Sequence, residues 1–312
     1  MTELSTFVDA LDAVGGQAPA LNDPDTAFVV VEGTRFVSRQ STPQVRVTTE
    51  RSADRLQVRI AVAPGAVVAR AIHLCSGILG RGAEQKIGVE VELGEGARAE
   101  LLAHCIFPNV ERGLHAMRAR VSVGARAHLR VREAHHHGRL GGMEVAAETR
   151  AEVGHSGTYD CDFSLVRGLV GALEITQNVD VLDAGVANLG TRVFGHQEDT
   201  IRTREQINLV GEAARSTLES RVVLEHEATA EVVSITHGAA AHVRGHMDCM
   251  ELVKDAATAS SSPIVRISHP LARITHEAAV GTIDRDQLET LMAHGLTAEQ
   301  AIDAVVTGIL RD

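Results

Sequence analysis

Tryptophan is missing from this 312-residue chain, tyrosine occurs once, and aromatic residues make up only 2% of it against 44% hydrophobic residues overall. An interior without large rings must be filled by Val, Ala, Leu and Ile, which suits strands stacked in narrow layers. It also argues against an enzyme with an aromatic-lined pocket or one that stacks sugars on aromatic rings. Lysine is nearly absent, with Lys86 and Lys254 alone, and the other basic residues are arginines that form no run. With a formal net charge of -11, such a chain lacks the basic surface that nucleic acid or an anionic membrane requires, so neither is expected as a partner.

Cysteine is scarce as well. Cys75, Cys105, Cys161 and Cys249 lie far apart without a CxxC pair, which is neither a disulfide framework nor a zinc knuckle. Free thiols or metal ligands in a reducing compartment are expected. The first residues, Met1 to Ser5, are acidic, and Phe7 to Leu11 breaks any apolar run, so no secretory leader is read and a cytoplasmic protein is expected. No phosphate-binding GxxxxGK[ST], HExxH, GxSxG or dinucleotide-binding glycine fingerprint occurs. The machinery for nucleotide hydrolysis or standard hydrolytic catalysis is therefore absent.

What the chain does contain is a repeat. Small turn signatures begin at Gly96, Gly124, Gly154, Gly185, Gly211 and Gly238, with intervals of 28, 30, 31, 26 and 27 residues. Between them lie alternating runs such as Ala127–Val131, Ser220–Leu224 and Ala230–Ile235, whose period of two and β-branched content predict strands of about four to seven residues. Helical periodicity is missing from about residue 45 to residue 280. Repeating short strands with small residues at the corners predict a mainly β protein, a β-helix in which each coil pairs with its neighbours. A two-sheet sandwich is the structural alternative.

Three segments follow from this reading: an N-terminal cap over 1–45, with a short helix from Thr6 to Val14 and a strand from Ala27 to Val31; a β-helix core over 46–281; and a helical segment over 282–312. In the last, Asp284 with Gln287, and Thr297 with Gln300, predict two N-capped helices separated by Gly295. Leu288, Leu291 and Met292 on the first, and Ala301, Ile302, Val305, Val306, Ile309 and Leu310 on the second, form apolar stripes. So short a hairpin must pack on the β body or on another chain.

Candidate ligands fall into two groups. Cys249 lies in a strand-like run in which His246, Asp248 and Met250 share the opposite face. His276-Glu277 follows it by 27 and 28 residues, near one coil, so a coil-to-coil register would stack the dipeptide beside the thiol, about 4.8 Å away. The second group, Cys75, Cys105 and His135, recurs at intervals of 30 within His73-Leu74-Cys75, His104-Cys105 and His135-His136-His137. In perfect register it would ladder two thiols and an imidazole, able to bind metal or relay sulfur. Cys161 has no such company and reads as structural.

The stretch from Cys249 through Thr275-His276-Glu277-Ala278-Ala279-Val280-Gly281 to the helix residues Gln287–Ala301, with Leu209–Ala214 and Ser220-Arg221 before it, resembles the C-terminal signature of the SufB/SufD family of iron-sulfur cluster scaffolds. The specific likeness covers roughly 205–312 and a weaker one reaches back to about residue 70. The resemblance implies a β-helical core with terminal helices, dimerisation through the end of the core, and a soluble SufC-like ABC-type ATPase bound by the C-terminal helices. By position Cys249 resembles the essential SufB cysteine, Glu277 the SufB glutamate, and His276 the functional SufD histidine. Holding all three, the chain is expected to act as a homodimer carrying an iron-sulfur cluster, a four-iron form being favoured, with a sulfur donor upstream and apo-protein acceptors downstream. It is shorter than typical SufB and has no clear counterpart of the upstream cysteine thought to receive sulfur there. The rival readings are a β-helix enzyme acting on carbohydrate through paired carboxylates, and a metal-free interaction module.

Overall fold

The computed structural model describes residues 3–52, 55–282 and 285–310. Alternation decides the architecture. In Met143–Val153 the buried residues are Met143, Val145, Ala147, Ala151 and Val153, while Glu144 and Arg150 face water. Each such strand has one apolar face to hide, and two sheets of them close face to face around a single interior. From Leu56–Val62 onward successive strands belong alternately to two sheets, which hold ten and nine strands among the described residues. Within each sheet a strand from the body pairs in parallel with the strand one coil away: Thr158 lies opposite His128 on one side and Val186 on the other. The chain is a β-solenoid with few short helices, not a sandwich. Its strands run to about ten residues, longer than the alternating runs suggest, because several interior positions are polar: Gln177, Glu205 and Ser220 are all buried.

The corners explain the small residues. At one edge Gly65, Gly96, Arg126, Ser156, Ala184, Ala213 and His242 adopt left-handed backbone, and successive amides donate to carbonyls of the next coil, as in Arg126 to His155 (2.9 Å) and Ala184 to Glu212 (2.8 Å). These turn centres are 28 to 31 residues apart, a steadier period than the glycines show. The glycines themselves slide around the corner: Gly124, Gly154 and Gly211 sit two residues before the turn centre, where a Cβ would strike the backbone of the preceding coil, whereas Gly238 closes a strand.

The two ends of the solenoid differ. At the first, Arg35–Gln40 and Val45–Arg51 pair antiparallel with Phe28–Glu32 and Leu56–Val62 and terminate both sheets. The helix Glu3–Ala13 then lays Phe7 and Leu11 against Phe28, Val30, Cys75 and Ile106 on the outer face. At the second end, Thr258–Ile267 and Arg273–Gly281 are the last strands of the two sheets, and among the described residues no strand pairs with their outer edges. Most of their side chains are exposed or half-exposed, with Ile267 at 49% and Val280 at 51%.

Two helices follow, Arg285–Ala293 and Ala298–Ile309. Thr297 and Gln300 form the reciprocal capping box that their spacing predicts; the Asp284 cap falls outside the described residues. Ile302 and Val306 face Val223, Leu224, Leu252 and Val253 across a groove of about 450 Å³ at a solenoid corner. Ala301, Val305 and Val306 are buried, Leu288, Leu291, Ile302 and Ile309 are half-buried, and Met292 is exposed.

Candidate functional site

Side chains capable of chemistry collect at two places, one near the open end and one deep in the N-terminal half. The strand Arg244–Val253 turns Met247, Cys249 and Glu251 inward and His246, Asp248 and Met250 outward, as a period of two requires. Outside, Asp248 accepts from Arg221 Nη2 at 2.5 Å, and His246 Nδ1 meets Thr275 Oγ1 at 2.8 Å. Inside, Cys249 is 1% exposed and its Sγ–H donates to Ser234 Oγ at 3.4 Å. Burial pushes this thiol up to about 11 against the help of that hydrogen bond, which favours the protonated form in the single chain.

Cys249 lies in a polar strip of the interior. Glu251, two residues on and wholly buried, is raised to about 7 by desolvation. Glu205, also wholly buried, accepts from Thr191 Oγ1 at 2.7 Å and Gln177 Nε2 at 3.4 Å, and burial lifts it too to about 7. Parity alone puts Glu251 on the face of Cys249; the three-dimensional neighbourhood of Glu205 had no linear signal.

His276 and Glu277 lie on the next strand, but the dipeptide does not stack directly on the thiol. A coil here is 29 residues long, so Met247 and Asp248 are opposite His276 and Glu277, and Cys249 is opposite Ala278. The sequence distances of 27 and 28 fall short of one coil by two residues and by one. His276 therefore shares the interior face with Met247 and Cys249, one diagonal step from the thiol, and Glu277 shares the outer face with Asp248. Both are exposed, because the coil that carries them is the last.

The second cluster lies within the first coils. Cys105 is opposite His135, as the interval of 30 predicts, but Cys75 is opposite His104, and Ser76 is opposite Cys105. A single-residue offset turns Cys75 to the outer face, under the N-terminal helix, where it packs with Phe7 and Ile106; the ladder of three is thereby a pair. Burial pushes Cys75 up to about 12. His137 stays on the interior face, its ring 5.0 Å from that of Phe107 and 5.9 Å from that of His135.

Around Cys105 the interior supplies what the linear pattern did not single out. Ser76 Oγ lies 3.3 Å and His115 Nε2 3.8 Å from its Sγ. Glu133 Oε1 lies 2.8 Å from His135 Nε2. Cys105, Glu133 and His135 each offer a ligand atom within 4.8 Å of the others. Desolvation holds His115 and His135 down to about 3 and lifts Glu133 to about 7. Glu133 was legible by parity, two residues before His135; His115 required the knowledge that the two sheets face each other.

Among the described residues no helix is long and apolar enough to cross a membrane. A family model described as the SUF system FeS cluster assembly, SufBD core domain, matches residues 80–309. An iron-sulfur cluster assembly SufBD family protein of Methanocaldococcus jannaschii is 32% identical over 310 residues, 99% of this chain and 98% of that protein. One from Pyrococcus horikoshii is 29% identical over 284 residues, 91% of this chain and 86% of its own length. A third, from Archaeoglobus fulgidus, is 23% identical over 250 residues, 79% of this chain and 66% of that protein.

Proposed function

The chain belongs to the SufBD family of iron-sulfur cluster assembly proteins, and from that premise we propose that it is a scaffold on which a nascent cluster is held at the seam between two copies of itself. The observation that carries this reading is the C-terminal edge of the solenoid, with which no strand pairs among the described residues, and Cys249 one strand inside it. A sheet edge presents a row of free amides and carbonyls that a second chain can pair, and an isologous pairing brings each residue of the seam in twice. Two copies of His276, on the same face as the thiol and exposed in one chain, come to lie between the two Cys249 side chains, with Glu277, on the outer face of the same strand, at the rim of the seam.

Two thiolates with nitrogen or oxygen donors complete the four positions that a cluster needs. Such mixed ligation holds its cargo less firmly than four cysteines, as a scaffold that passes the cluster to an acceptor requires. The thiol's high proton affinity acts in the same sense, since protonation competes with iron. The cluster is cargo here and the chain performs no hydrolysis. We assign the energy-consuming step to a soluble ABC-type ATPase gripping the terminal hairpin through Leu288, Leu291 and Met292, the side of the hairpin on which an exposed methionine remains.

Anaerobic reconstitution with ferrous iron and sulfide tests the reading. The parent protein is expected to develop a cluster absorption that Cys249→Ala lacks, with circular dichroism unchanged because alanine fits the buried position. Equal absorption in the two proteins would remove Cys249 from the site.

A further inference from the structure

The cluster around Cys105 is separate from the seam, and its chemistry does not depend on the role proposed there. Its starting point is the amide of Gln85. This side chain is wholly buried, and its Nε2 donates to the carbonyls of Gly33 (2.8 Å) and Gly77 (3.1 Å). The orientation of the amide is therefore fixed, and its Oε1 faces His115 Nδ1 at 2.7 Å. An amide oxygen can only accept, so Nδ1 of His115 carries the proton and Nε2 is a bare lone pair. That lone pair points at Cys105 Sγ, 3.8 Å away. A fixed partner on one ring nitrogen that leaves the other free is the arrangement by which proteins orient a metal-binding histidine.

The remaining donors are already gathered. An imidazole nitrogen of His135, a Glu133 oxygen and Cys105 Sγ lie within 4.8 Å of one another. His135 is 2% exposed, and its Nδ1, like both ring nitrogens of His137 beside it, is buried without a hydrogen-bond partner. Buried nitrogens left bare cost free energy and are uncommon in native interiors. The spacing suits a small ion: sulfur at about 2.3 Å and nitrogen at about 2.0 Å from a tetrahedral centre lie about 3.6 Å apart, close to the separation of Cys105 and His115.

We propose that Cys105, His115, Glu133 and His135 form a closed, four-coordinate site for a divalent ion of the zinc class inside the solenoid, with Gln85 as its positioning residue. One thiolate and one carboxylate balance the two charges of the ion, so the buried site is neutral overall. One thiolate, two imidazoles and one carboxylate, with no position left for water, match a structural zinc site rather than a catalytic one. Loading releases the Cys105 proton to solvent, and Glu133 exchanges its contact with His135 for one with the metal. Through its direct ligands the ion would join the strands Arg98–Phe107, Gly113–Val123 and His128–His137 across both sheets, with Glu84–Leu93 attached through Gln85.

The test uses the full chain carrying Cys249→Ala, which removes the seam thiol, after treatment with chelator under anaerobic conditions. Titration with Co²⁺ is expected to give one tetrahedral ion per chain with a sulfur-to-cobalt charge-transfer band, and Zn²⁺ should displace it. Cys105→Ser should abolish the band, and Gln85→Leu should weaken affinity about 10- to 100-fold. A band that survives Cys105→Ser, or no tetrahedral ion at all, overturns the assignment. X-ray absorption of the zinc-loaded Cys249→Ala protein needs no further substitution: one sulfur with three lighter ligands is expected, and two sulfurs, or none, contradict it.

Discussion

Glu205 is a carboxyl group whose burial makes stability depend on pH. Its folded-state value of about 7 exceeds the ordinary 4.5, so between about pH 4.5 and pH 7 the native state keeps a proton that the unfolded chain has lost. Stability contributed by that proton is complete below the lower value and disappears as pH rises through the upper one, an effect of at most about 3 kcal/mol. Buried histidines such as His115 and His135, held down to about 3, oppose this trend below about pH 6.5. The Glu205 contribution is therefore read as a difference: the melting temperature of Glu205→Gln relative to the parent is expected to rise from about pH 5 to pH 8. A difference between Glu205→Gln and parent that stays constant across this window, measured calorimetrically, would contradict the assignment. At this scale the sequence was legible wherever parity or a regular interval sufficed: the opposite faces of Cys249 and Asp248, and the pairing of Cys105 with His135. It failed where register slipped. Cys75 is one position out of line, which sends its side chain to the opposite face, and the His276-Glu277 dipeptide is displaced from Cys249 because a coil here is 29 residues long.

At the scale of elements, the corners and caps bear the geometry. Gly211 sits where a Cβ would meet the backbone of Leu182 and Asp183 in the coil before it. Gly211→Ala should therefore cost about 1–3 kcal/mol through forced separation of the coils, read as a lowered midpoint in urea with an unchanged slope. In the terminal hairpin, Thr297 accepts from the Gln300 amide at 3.2 Å while Gln300 Oε1 accepts from the Thr297 amide at 2.9 Å. Thr297→Ala should remove about 1 kcal/mol of helix stability, and, if the hairpin is the ATPase dock, weaken capture of that partner without changing cluster absorption. The capping box and the approximate coil period were readable because both depend on local residue chemistry. Strand length and the division of each coil between two sheets were not, because polar residues such as Gln177 and Glu205 occupy interior positions and interrupt the apolar alternation on which strand reading depends.

For the whole molecule the decisive feature is the difference between its ends. Antiparallel strands and a helix close the first, and no described strand closes the second. No linear pattern announces that difference; it follows from which strands remain without a neighbour once all the others have paired. An open edge beside a buried thiol is the basis of the proposal that two copies share one cargo. Native mass spectrometry of the anaerobically reconstituted protein tests this most directly. The account expects iron and sulfide on the dimer alone, as one cluster for each pair of chains, with the monomer bare. A cluster carried by a single chain, or a dimer that forms but never takes up iron and sulfide, would contradict it.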